Sequence, residues 1–156
     1  MGTNVLNRMG LLCVMSCFLC LSACQSLREP GSSSLAHVRI TGADSERVLD
    51  KAAQVFTEAG FVQTRRYPGE RTFERPGSRM DNIKYGTWES RSVIMRARVK
   101  TRQMGDGLLL VQCDVDVVAI PDNGNPHRQD ENPVLGGYRS EYQKLLDSVQ
   151  SDLQKK

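Results

Sequence analysis

The sequence predicts an α+β domain: an antiparallel sheet of four to five strands with two helices packed on one face, in the order β-α-β-β-β-β-α. Three observations predict it. Residues 92–100 and 108–120 alternate strongly and flank Gly105-Asp106-Gly107, which reads as a long hairpin with one buried face. An apolar stripe at helical spacing precedes the strand-rich middle (Val48, Ala52, Val55, Phe56, Ala59), and another follows it (Tyr138, Tyr142, Leu145, Leu146, Val149, Leu153). Helices set at the two ends of a run of strands segregate to one side of an antiparallel sheet.

Residues 37–41 (HVRIT) form a short strand with Val38 and Ile40 on one face, broken by Gly42. Asp44 or Ser45 caps a helix, Glu46 suits its first turn, and Gly60 stops it, giving a helix over 44–59. Residues 61–67 form the next strand, ended by Pro68-Gly69, and residues 71–75 a short one before Pro76-Gly77. Residues 76–81 read as a loop. Residues 82–88 alternate, with Ile83, Tyr85 and Thr87 facing one way and Lys84 and Trp88 the other. In the hairpin, Val93, Met95, Ala97 and Val99 share a face with Leu109, Val111, Cys113, Val115 and Val117, opposite Arg96, Arg98, Asp114 and Asp116. Residues 121–133 carry three prolines and Asn123-Gly124 and read as an exposed loop. The last stripe makes the C-terminal helix, with Arg139, Glu141, Lys144 and Asp147 on its polar side.

Ahead of this domain, the only charged side chain before residue 24 is Arg8, and residues 11–23 are mostly apolar. A basic start, a short apolar core and small residues before a cut describe a secretory signal, too short for an ordinary spanning helix. It ends in Leu21-Ser22-Ala23-Cys24. These four residues resemble the lipobox of bacterial lipoproteins. The resemblance implies diacylglycerol on the Cys24 sulfur and cleavage between Ala23 and Cys24. Two or three acyl chains hold a protein at a membrane, where one alone is marginal. Gln25 stands where Asp favours inner-membrane retention in Gram-negative members. The resemblance therefore implies the periplasmic face of the outer membrane, or, in a cell with one membrane, the outer face of the cytoplasmic membrane.

The expected organisation is a signal over 1–23, a lipidated Ser/Gly/Pro-containing tether over 24–36, and one domain over 37–156. Loss of 23 of 156 residues leaves 133, enough to bury a core without staples. Loss of Arg8 lowers the formal net charge from +3 to +2, which gives no reason to expect nucleic acid as a partner. Cys13, Cys17 and Cys20 depart with the signal and Cys24 takes lipid, so Cys113 remains as a lone thiol, expected to be buried. With only His37 and His127 beside it, no metal site is expected, and no cofactor motif is present.

Arg96, Arg98 and Lys100 are the candidate binding residues, a basic row suited to anionic lipid headgroups or envelope polymers. The competing expectation is that Asp114 and Asp116 pair with them across the hairpin. Asp114 and Asp116 are also a weak candidate for acid/base or calcium chemistry. Arg65, Arg66, Arg71, Arg75 and Arg79, beside Tyr67 and Phe73, form a second basic stretch that reads as solvated loop. Tyr85 and Trp88 are a weak candidate ligand patch, and neither histidine stands in a recognised catalytic motif. The element order is similar, in topology alone, to that of small assembly lipoproteins such as the lipopolysaccharide-assembly lipoprotein that sits with a barrel partner. With catalytic residue types sparse and unclustered, the expectation is a lipid-anchored, non-catalytic domain that binds another cell-envelope component, an envelope protein being the expected partner. An anionic-polymer module and a small hydrolase are the alternatives.

Overall fold

The computed structural model describes residues 34–86, 90–121, 130–134 and 136–155. Ala23 and Cys24, with the whole expected signal, and also Trp88 and His127, lie outside the described residues.

Period-two alternation drives the central hairpin. β4 (Ser90–Gly105) and β5 (Leu108–Pro121) pair antiparallel, with Arg98 opposite Asp114 and Ala97 opposite Val115. Gly105, Asp106 and Gly107 all take positive φ (103°, 49° and 72°), a turn that two glycines make cheap. β1 (Ala36–Thr41) lies along the first half of β5. On the other side of β4 come β3 (Glu70–Pro76) and then β2 (Val62–Tyr67). The sheet order is β1-β5-β4-β3-β2, antiparallel throughout, so the expected α+β class holds.

α1 (Ser45–Glu58) starts where Asp44 accepts a hydrogen bond from the Arg47 amide at 2.9 Å. It buries Val48, Leu49, Ala52, Val55 and Phe56 against the sheet. Phe56 stacks on Phe73 with centroids 4.7 Å apart and meets Phe61 edge-on at 5.4 Å. The C-terminal helix, Arg139–Gln154, follows a 3-10 turn at Gly136–Tyr138 and buries Tyr142, Leu146 and Val149. It clasps β1 through Gln143, which accepts from the His37 amide at 3.2 Å and donates to the His37 carbonyl at 2.9 Å. Each fully buried aliphatic or aromatic side chain adds about 1.5–3 kcal/mol of transfer free energy. The core is therefore what holds both helices on this one face.

Two segments differ from expectation. Residues 79–85, read partly as loop and partly as alternating strand, form α2 (Arg79–Tyr85). Ser78 and Asp81 cap each other there, and this local bond outweighs a two-residue alternation. Ile83, placed on a strand face with Tyr85, is instead 67 % exposed. The C-terminal helix is accordingly α3. In the segment read as a loop, Asp130–Pro133 is a strand, β6, paired with the Asp116–Ala119 stretch of β5. Its four residues are too few to show alternation. Pro133 is tolerated there because β6 is an outer strand, where a missing N–H is least costly. The sheet thus has six strands, and β1 and β6 share the outer edge of β5.

Candidate functional site

Alternation along β4 turns Arg96, Arg98 and Lys100 away from the described helices, onto the opposite face of the sheet. Strand register then decides what they meet. Glu74 lies opposite Arg96 on β3, and Asp116 opposite it on β5. Arg96 donates to Glu74 at 2.6 Å and also to Glu131 of β6. Arg98 bonds Asp116 diagonally and lies 3.9 Å from Glu131. Lys100 sits 3.6 Å from Asp114 and 3.9 Å from Glu70. The three cations therefore stand among five carboxylates, a formal balance of −2. A row that reads as basic along the chain is matched by carboxylates in the sheet. Arg96 is only 12 % exposed, so its charge is committed to this network. Lys100 is the most accessible of the three at 43 %.

Asp114 and Asp116 are brought together with cations, the arrangement of an ion-pair lattice. Among the described residues, no group of three or more His, Cys, Asp or Glu side chains is placed to hold a metal ion. Cys113 is fully buried beneath the helices, and burial pushes its thiol far above the usual range. A thiol held in that form is a poor nucleophile.

At the end of β6 the outer edge of β5 carries a notch. Pro133 is the last β6 partner and Ala36 the first β1 partner, so Asp114 and Val115 fall between the two strands. Ser34, Leu35, Arg98, Val134 and Arg139 close round it as an open cleft of about 460 Å³. A second shallow hollow next to it is lined by His37, Arg139, Ser140 and Gln143. The His37 Nδ1 atom is buried there without a hydrogen-bond partner among the described residues.

The second basic stretch does not form one patch. Register puts Arg71 on the helix side, and it is 1 % exposed rather than solvated. It donates to the Tyr67 carbonyl at 2.8 Å, the Glu70 carbonyl at 3.1 Å and Glu46 at 2.5 Å. The Arg71 guanidinium holds the Glu46 carboxyl below its ordinary value. Arg75 reaches Glu141 of α3 at 2.6 Å and lies over the Phe61 ring at 4.6 Å. Arg66 approaches Asp50 at 3.4 Å, and Arg79 is exposed on α2. Arg66, Arg71 and Arg75 tie helices to the sheet; Arg79 has no acidic partner among the described residues.

A further polar cluster was not anticipated from sequence. Asp81, 4 % exposed, accepts from the Ser78 amide at 2.7 Å and from the Tyr138 hydroxyl. Burial raises its carboxyl, but these hydrogen bonds outweigh that and leave it below the ordinary value. The same bond pushes the Tyr138 phenol up to about 12. Lys84 lies 5.2 Å over the Tyr85 ring and 5.0 Å over Tyr138. The spacing Ser78-Arg79-Met80-Asp81 was the available signal, since a hydroxyl followed three residues later by an acid suits a helix start. Tyr85 packs against the core rim beside this cluster, and Trp88 lies outside the described residues.

No protein-family model matches this sequence, and comparison with curated proteins also finds no match. Among the described residues, no helix is long and apolar enough to cross a membrane.

Proposed function

We propose that the chain is a lipoprotein precursor whose mature form, acylated on Cys24, carries a non-catalytic domain that binds another component of the cell envelope. The observation that carries this reading is Leu21-Ser22-Ala23-Cys24 at the end of a short apolar segment, just ahead of a self-contained α+β domain. Gln25, with no acidic residue at that position, favours the outer membrane in a two-membrane cell. The partner-binding part of the reading is supported by a sheet face turned away from the described helices, on which fixed, alternating charges stand. Such a pattern selects a partner by complementarity and repels a mismatched one, contributing specificity more than raw affinity.

The lattice bears on the alternative of an anionic polymer. A polyanion would have to displace five carboxylates from Arg96, Arg98 and Lys100. A protein partner with its own mixed charges meets no such competition. The test is crosslinking in intact cells followed by membrane purification. The reading expects one stoichiometric envelope protein, lost when Asp116 and Glu74 are reversed to Lys. Recovery of no partner, combined with salt-sensitive binding of purified polyanion, would favour the alternative instead.

A further inference from the structure

The end of the sheet that faces the anchor is set by strand direction. β1 runs from the middle of β5 toward the β4–β5 turn, because Ala36 pairs with Cys113 and Thr41 with Leu108. The chain before Ala36 therefore leaves toward the opposite end of the sheet. That end holds the start of β2, the end of β3, α2 and the 3-10 turn. The Asp81–Tyr138 bond ties α2 to the turn, and Leu35 at the exit point lines the same cleft as Gly136 of the turn.

Three large apolar side chains stand out at this end: Val62, 66 % exposed, and Met80 and Ile83 of α2, 69 % and 67 % exposed. Met80 and Ile83 are three residues apart, so they share one helix face. Arg79 and Arg139, both exposed at the same end, have no acidic partner among the described residues. Cys24 and Ala36 are separated by eleven residues, and a chain of that length reaches at most about 43 Å even when fully extended. A domain of this size is about 35 Å across. The link makes the exit end the part of the domain tied nearest to whatever holds Cys24.

We propose that Met80 and Ile83, with Arg79 adjacent on α2 and Arg139 at the same end of the sheet, rest on the anionic lipid surface to which Cys24 is anchored. This orientation rests on the lipid-anchor reading. It leaves the β4–β5 and β2–β3 turns pointing away from the bilayer. Apolar side chains enter the headgroup boundary and arginines meet lipid phosphates, as in interfacial helices.

The experiment uses the full mature chain purified from membranes and reconstituted in vesicles of phosphatidylethanolamine and phosphatidylglycerol, with brominated acyl chains in one set. Trp88 is the only tryptophan and stands three residues beyond Tyr85, within about 11 Å of chain, so its fluorescence reports on α2. The proposal expects flotation with the vesicles and strong quenching of Trp88 by bromine. Met80→Ser with Ile83→Ser should remove most of the quenching without changing flotation or the far-ultraviolet spectrum, because both side chains are exposed. Tyr67→Ser with Met104→Ser, at the other end, should leave quenching intact. Flotation without quenching, or quenching indifferent to the α2 pair, would overturn the orientation while sparing the anchor. Failure to float would overturn the anchor reading and this proposal with it.

Discussion

The Tyr138 hydroxyl donates to the Asp81 carboxylate across 57 residues of sequence, joining the short helix α2 to the start of α3. Asp81 also caps its own helix through the Ser78 amide, so a single carboxylate serves both a local and a long-range contact. Asp81→Ala should lower stability by about 1–3 kcal/mol, from the lost cap and the stranded phenol. Tyr138→Phe should cost less, about 1 kcal/mol, because Tyr138 is only half-buried. Urea denaturation of the two variants and the double mutant checks this, with a coupling of less than the sum expected for one shared bond.

The same pair sets a pH window. The folded Asp81 carboxyl lies below its ordinary value, so its contribution is present above the unfolded value and lost as pH falls through the folded one. Glu46, held down by Arg71, adds a loss of the same sign. Tyr138 lies above its ordinary value of 10.0, at about 12, so its contribution is full below pH 10 and fades between the two values. Thermal melts should therefore show a plateau through neutral pH with losses at both extremes. In Tyr138→Phe the alkaline loss should shrink.

Arg71 is the buried charge on which α1 and the β2–β3 turn converge. Removing it takes a donor from two backbone carbonyls and leaves Glu46 only the longer 3.5 Å contact with Arg66. Arg71→Ala should cost about 2–4 kcal/mol, the upper part reflecting lost packing of its stem. Arg66→Ala, on the exposed side of the same carboxylates, should cost at most about 1 kcal/mol. Equal effects of the two would contradict the burial difference.

Tyr142 is fully buried and its hydroxyl has no partner among the described residues. Burial pushes this phenol well above the ordinary range. An orphan hydroxyl costs free energy that a ring of the same shape avoids. Tyr142→Phe should raise stability by about 1 kcal/mol, read as a higher denaturation midpoint at unchanged slope.

Gly77 has a different demand. A Cβ there would lie 2.5 Å from Val93 Cγ2 and 3.1 Å from both the Val93 carbonyl and Asp81 Cβ. The stiff Val93 side chain and its backbone cannot both withdraw, since the Gly77 amide donates to that carbonyl at 2.8 Å. Gly77→Ala should cost about 1–3 kcal/mol. A neutral result would mean the β3–α2 junction is looser than its contacts indicate.

The parts of the fold that rest on long periodic patterns were legible. The β4–β5 alternation, both amphipathic helices and the buried Cys113 follow from spacing alone. α2 was not legible, because seven residues give a weak period and Ile83-x-Tyr85 imitated a strand. β6 was hidden by its brevity and its proline. The charge row shows the deeper limit. Alternation put Arg96, Arg98 and Lys100 on one face and even supplied Asp114 and Asp116 across the hairpin. Glu70, Glu74 and Glu131 come from strands whose register the sequence did not specify, and with Asp114 and Asp116 they outnumber the three cations they pair with. Arg71 looked like its exposed neighbours because a basic run carries no mark of which member turns inward.

The central claim is a covalent one, and a single measurement addresses it most directly: the mass of the N-terminal peptide of the mature protein, isolated from membranes after proteolysis. The account predicts a peptide beginning at Cys24 and heavier than its residues by a diacylglyceryl group, with or without a further acyl chain. An unmodified Cys24 peptide, or one that still carries residues before it, would contradict the account.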